Sequence, residues 1–174
     1  MSLLARLLAF LLLAGLAAPA WADVQLSFYS RELGGNNFPH AFVRMSGTLT
    51  DGSAVDTAVG FTARSVTPAI LLGSVTGDVI QETPGMIARS DRQFSVTVDE
   101  DRYRAVLAVV ERWRTRTQPS YNLNRRNCVH FVGELAEAAG LRVDFAKRLM
   151  KRPRSFLQHV RSLNPLVESA PVAP

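Results

Sequence analysis

Cys128 is the single cysteine of a 174-residue chain, and it opens the run Cys128-Val129-His130-Phe131 directly after Arg125, Arg126 and Asn127. Phe131, Val132, Leu135, Ala136 and Ala139 follow at helical spacing on the same stripe as the cysteine. The pattern predicts a helix that starts near Cys128 and stops at Gly140, a residue that readily takes the left-handed conformation of a helix terminator. A thiol in the first turn of a helix faces unpaired backbone N–H groups and the positive end of the helix dipole. Both stabilise a thiolate and lower its pKa from about 8.5. Arg125 and Arg126 add positive charge on the same side, and the N–H groups can also hold the oxygen of a reacting carbonyl. Against this stands a common fate of free cysteine, an inert thiol buried as a small apolar side chain. Periodicity alone supports both.

A thiol nucleophile needs a base, and the chain offers His40, His130 and His159. They are far apart in sequence, without metal-ligand spacing or a second cysteine, so neither a metal nor another cofactor is expected. No glycine-rich phosphate loop is present, and no nucleic-acid partner is expected. His130 lies two residues past Cys128, about 200° around a helix, and points away from the thiol toward Glu134 and Glu137. It reads as a solvent or surface hydrogen-bonding group. His40, taken alone, is an ordinary strand histidine beside a loop.

The elements that must position these groups differ between the two halves. Val24, Leu26 and Phe28 alternate with polar residues, which is strand periodicity. Residues 33–39, "LGGNNFP", form a loop by composition. The run from His40 to Ala63 reads as a hairpin around Asp51-Gly52, a pair suited to a tight turn. With a two-residue turn, Thr50 faces Ser53 and His40 faces Ala63. Asp56 then lies opposite Gly47, seven residues or about 23 Å from His40. Thr62 points to the other face unless a bulge intervenes. No acid is therefore expected to orient His40. Residues 66–90 are interrupted by Pro68, Gly73, Gly77, Pro84 and Gly85 and predict no long element; substrate specificity would reside there. Phe94, Val96 and Val98 alternate in a further strand. Asp99 caps a following helix with Glu100 and Asp101 in its first turn. That helix presents Tyr103, Val106, Leu107, Val110 and Trp113 on one face, and Pro119 ends the segment. The basic stretch from Ala146 onward is partly amphipathic and broken at Pro153. It suits a solvated face or peripheral contact with an anionic envelope surface.

The segment from Tyr121 to Leu141, "YNLNRRNCVHFVGELAEAAGL", resembles the cysteine signature of circularly permuted papain-like proteins, the NlpC-like group that includes lecithin–retinol acyltransferase relatives. In that permuted order a histidine strand precedes the cysteine helix, and "PHAFVRM" with His40 stands where the strand belongs. "AVGFTA" and "QFSVTVDEDRYRAVLAVV" continue the order, so the likeness covers roughly residues 38 to 141. It implies an α+β fold in which an antiparallel sheet packs against two main helices, with Cys128 at a helix N-terminus. It further implies that Cys128 attacks a carbonyl or thioester carbon and that His40 takes its proton or pairs with it as an ion. A cysteine hydrolase or acyl-transfer enzyme follows as the expectation. Its substrates would be a cell-wall peptide, as for a peptidoglycan peptidase or amidase, or an acylated lipid or protein. The alternative is a non-catalytic envelope module that keeps the fold for binding, which the lack of an orienting acid favours.

The first 22 residues read as a cleaved export signal. Arg6 precedes an apolar run from Leu7 to Leu16, and Ala20-Trp21-Ala22 fits the small-x-small pattern before Asp23. The apolar core is short for a membrane span, which needs about 20 residues. Cleavage after Ala22 leaves 152 of the 174 residues, enough for one domain over 23–164 with a flexible tail over 165–174. Loss of Arg6 turns 20 basic against 15 acidic side chains into 19 against 15, a net charge of +4. Export implies a periplasmic or secreted protein in an oxidising compartment. A lone thiol there is hidden, paired with another molecule, or used.

Overall fold

The computed structural model describes residues 23–32 and 38–169. The expected export signal (1–22), the loop residues 33–37 and residues 170–174 of the expected tail lie outside the described residues. Strand periodicity in the first half builds β1 (Asp23–Arg31), β2 (His40–Thr48) and β3 (Ala54–Ala63). The broken segment that follows yields a short helix α1 (Ala69–Leu72), strand β4 (Gly77–Gln81) and a second short helix α2 (Pro84–Ala88). β5 (Asp91–Val98) leads into three longer helices, α3 (Glu100–Arg114), α4 (Cys128–Ala138) and α5 (Pro153–Leu163). A two-residue strand β6 (Glu168–Ser169) closes the order. All neighbouring strands run antiparallel in one sheet ordered β4-β3-β2-β1-β5-β6. The fold class is α+β.

Alternation sorts each strand's side chains between the two faces of the sheet. Val24, Leu26 and Phe28 of β1, Val43 and Met45 of β2, and Val59 and Phe61 of β3 belong to the buried core. α4 lies against β2 and β3, and α5 against β1 and β5. The seam between α3 and α4 is fixed by Glu134, which accepts from Trp113 Nε1 at 2.8 Å and from Arg112 at 2.7 Å. This seam explains why α3 buries Val109 where Leu107 was expected. The two lie on opposite flanks of the same apolar stripe, and α4 covers the Val109 flank.

Two further expectations are corrected. The β2–β3 hairpin pairs Thr48 with Ala54, and the Leu49 N–H donates to the Ser53 carbonyl at 2.9 Å, so a three-residue loop, 50–52, replaces the two-residue turn. Gly52 alone takes a positive φ, 83°, while the Asp51 carboxylate accepts from the Ser53 N–H at 2.8 Å. Either primed turn on Asp51-Gly52 needs a positive φ at Asp51, and Asp51 folds into this local side-chain turn instead. The register therefore moves by one, pairing Phe42 with Gly60 and Ser46 with Asp56. Second, Pro153 does not break the basic stretch; it begins α5 at a first-turn position where a proline N–H is not needed. α5 buries Phe156, Leu157 and Val160, so three main helices cover the sheet rather than two. Past the expected boundary at 164, Ser169 pairs with Phe94 of β5.

Candidate active site

Cys128 is the first residue of α4 and is nearly buried, 6 % exposed. Asn127 fixes that helix start. Its Oδ1 accepts from the Val129 N–H at 2.9 Å and the His130 N–H at 3.4 Å. Its Nδ2 donates to the carbonyls of Leu123 (2.9 Å) and Met150 (2.7 Å), clamping the helix between two loops. The cap has a chemical consequence. It consumes two of the N–H groups that were expected to hold an oxyanion, leaving the Cys128 N–H, which among the described residues meets no acceptor. His130 completes the cap, its Nδ1 accepting from the Asn127 N–H at 3.4 Å. Burial lowers its pKa, which suits this neutral acceptor role. His159 pairs with Asp144 at 3.2 Å on α5's own side of the molecule. The three histidines thus occupy three separate environments, and only His40 joins the thiol.

His40 is the first residue of β2 and is buried at the end of the sheet. Cys128 lines the same cavity as the ring and lies close enough to bear on its charge. The Nε2–H faces the Oε1 of Glu82 at 2.7 Å, and the Glu82 side chain is 1 % exposed. Nε2 is thereby occupied, which leaves Nδ1 for the thiol. Burial pulls the His40 pKa down, but hydrogen bonds to Cys128 and Glu82, and then their charges, overcome it and raise it to about 9. A carboxylate 2.7 Å from the ring favours the charged imidazolium despite burial.

Glu82 is the acid that sequence reasoning missed. It follows β4 directly, and its N–H donates to the Ala58 carbonyl at 2.8 Å, which continues the β3–β4 ladder by one pair. Gly60 lies beneath the contact. A Cβ there would stand 2.2 Å from Glu82 Oε1 and 2.7 Å from His40 Nε2, so only glycine admits the pair. The sequence signals were an isolated glutamate after a short apolar strand and a glycine within "AVGFTA"; neither carries meaning until β4 is known to pair with β3. The other candidates fall away. Asp56 binds Arg44 at 3.1 Å, and the Thr62 hydroxyl donates to the Ala63 carbonyl at 3.4 Å.

The site opens into a cavity of about 430 Å³. Phe61, Ile80, Met86, Tyr121, Leu123 and Val129 form much of its wall, and most of the lining is apolar. Tyr121 is held there by paired backbone bonds with Val75, both 2.9 Å. Burial, and then the charge of Cys128, push its phenol up, so it stays a protonated donor facing the cleft. Gln118 ties the same segment to the edge strand, exchanging hydrogen bonds with both backbone groups of Gly77. Comparisons with protein-family models, curated proteins and solved structures return no match.

Proposed function

We propose that the protein is a cysteine hydrolase or acyl-transfer enzyme with Cys128 as nucleophile, His40 as its base and Glu82 as the residue that orients His40. The observation that carries this reading is the buried His40–Glu82 pair in the lining of the cavity that Cys128 also lines. The Glu82 contact holds a proton on Nε2 and fixes the ring plane, so Nδ1 takes the thiol proton. The thiolate then attacks a carbonyl carbon, and the His40 proton passes to the leaving group as its bond to that carbon breaks. The resulting thioester is opened by water in hydrolysis or by an acceptor hydroxyl or amine in transfer, which regenerates the thiol. The Cys128 N–H and the Tyr121 phenol are donors available to the carbonyl oxygen.

The chain order of histidine strand, glycine-bearing strand and cysteine helix supports the permuted papain-like resemblance. An apolar cleft favours an acylated lipid or protein over a cell-wall peptide as substrate. The best support for a binding-only envelope module was a missing orienting acid, and the Glu82–His40 contact weighs against that reading. We place the protein in the periplasm or outside the cell, processed after Ala22; N-terminal sequencing of exported material would then begin at Asp23, and an intact N-terminus in a membrane fraction would count against it.

Acylated lipids and cell-wall muropeptides offered in parallel, with products followed by mass spectrometry, test the chemistry. Cys128→Ser keeps the fold, since the side chains are nearly isosteric, and abolishes turnover. His40→Ala also loses turnover, and the double variant loses no more than either single one, because the two act as a unit. Equal product formation by wild type and Cys128→Ser would sink the mechanism.

A further inference from the structure

We propose that the mouth of the cysteine cleft docks on an anionic lipid surface. The purpose of the docking rests on the acyl-substrate reading above; its geometry does not. Seven large apolar side chains are exposed among the described residues, and five of them gather at one place. Phe38, Val66, Leu71 and Ile80 line the cleft, and Leu72 follows Leu71 in α1. Leu71 and Leu72 are 78 % and 89 % exposed, and α1 buries none of its residues. Single exposed apolar residues, such as Leu107 and Leu166 elsewhere, are ordinary. A cluster around the opening of an apolar cavity marks an interaction site.

Its chemistry points to lipid rather than to a protein partner. Phe61, Leu123 and Val129 line the same mostly apolar cavity as the patch and Cys128, so an acyl chain entering at this mouth would meet mostly apolar walls. Of the charges in the lining, Lys151 is an exposed cation, and Glu82 is engaged by His40. Lys151 belongs to the basic stretch in which Lys147, Arg148 and Arg152 are also exposed. An apolar rim beside clustered cations is the pattern of a protein that sits in the headgroup region, apolar side chains inserted and cations over anionic lipids. The membrane contact expected of the tail is thereby moved. The apolar face of α5 is spent on β1 and β5, and the unpartnered apolar surface is at the cleft.

Vesicle co-sedimentation tests this with the chain beginning at Asp23, which keeps every core side chain among the described residues. Phosphatidylglycerol-containing and pure phosphatidylcholine vesicles are compared, in wild type and in Cys128→Ser. Both proteins should bind the anionic vesicles, and pure phosphatidylcholine should bind less. Replacing Leu71 and Leu72 together by Ser should weaken binding by about tenfold at low and high salt. Lys151→Glu should weaken it chiefly at low salt. Leu107→Ser, at an exposed leucine away from the cleft, should leave it unchanged. Binding by Cys128→Ser keeps the docking intact even if the catalytic reading fails. Wild-type binding by the leucine double variant would overturn the proposal. So would absence of vesicle binding together with leucine-dependent self-association in sedimentation velocity, which would assign the face to a second copy of this chain.

Discussion

His40 is buried, yet its pKa rises to about 9, and the reason is its two neighbours rather than its depth. Burial alone would favour the neutral ring; the Cys128 and Glu82 contacts reverse the sign. Because the folded value lies above the ordinary 6.5, the ion-pair contribution to stability is complete below pH 6.5 and is lost as pH climbs through about 9. Glu82→Gln retains an acceptor oxygen but removes the charge, so the His40 pKa should fall. Glu82→Ala strands a buried imidazolium and should cost about 3–5 kcal/mol of stability. Gly60→Ala tests the same contact from below, since its Cβ would press on both partners within 2.7 Å. The ring must shift, and a displacement of about 1 Å at a reacting group costs about 100-fold in rate. Iodoacetamide alkylation of Cys128 and the NMR titration of the His40 ring report both effects. An unchanged titration with wild-type alkylation in Gly60→Ala would refute the assigned role of Glu82.

Cys128 opens its helix, and Asn127 is the device that ties that helix down. One amide satisfies two helical N–H groups and two loop carbonyls. Asn127→Ala loses a cap worth about 0.5–2 kcal/mol and leaves the Met150 and Leu123 carbonyls without this donor, at about 1–3 kcal/mol for the buried one. Urea unfolding should show a total loss of about 1.5–5 kcal/mol, and a loss below about 0.5 kcal/mol would mean the clamp is idle. The stripe of α4, the Asp99 cap and the alternation of β1 and β5 were all readable from the chain, because each depends on neighbours within a few residues. The register of β2 on β3 was not, because it turned on whether Asp51 would bond Ser53 or adopt a positive φ. Glu82 was hidden for a similar reason. β4 has only five residues between glycine and proline breaks, and its partner is set by tertiary pairing rather than by periodicity. A residue that matters only through a long-range ladder leaves no local pattern.

The assembled molecule joins three distant points of the chain, residues 40, 82 and 128, and the sheet and its helices are what bring them together. β2, the ladder beyond β4 and the start of α4 end at the same side of the domain, so the site inherits its rigidity from the core. The amphipathic tail looked peripheral in sequence because its apolar positions had no evident partner. In the fold, α5 covers the β1 and β5 side of the sheet, while α4 covers β2 and β3. Phe156, Leu157 and Val160 are fully buried there. Burial of such side chains is worth roughly 1.5–3 kcal/mol each, against a whole-domain stability of about 5–15 kcal/mol. Loss of the helix would also open the Phe28 and Phe94 side of the core to water, where those rings stack at 4.6 Å. A chain ending at Arg152 should therefore fail to show a cooperative thermal transition and should bind a hydrophobic dye at room temperature. A chain ending at Val167, lacking only β6 and the residues beyond it, should melt within a few degrees of the full-length protein, because β6 adds only two strand pairs at the sheet edge. Cooperative melting of the Arg152 truncation with intact Cys128 alkylation would show that α5 is an accessory to the fold and not one of its walls.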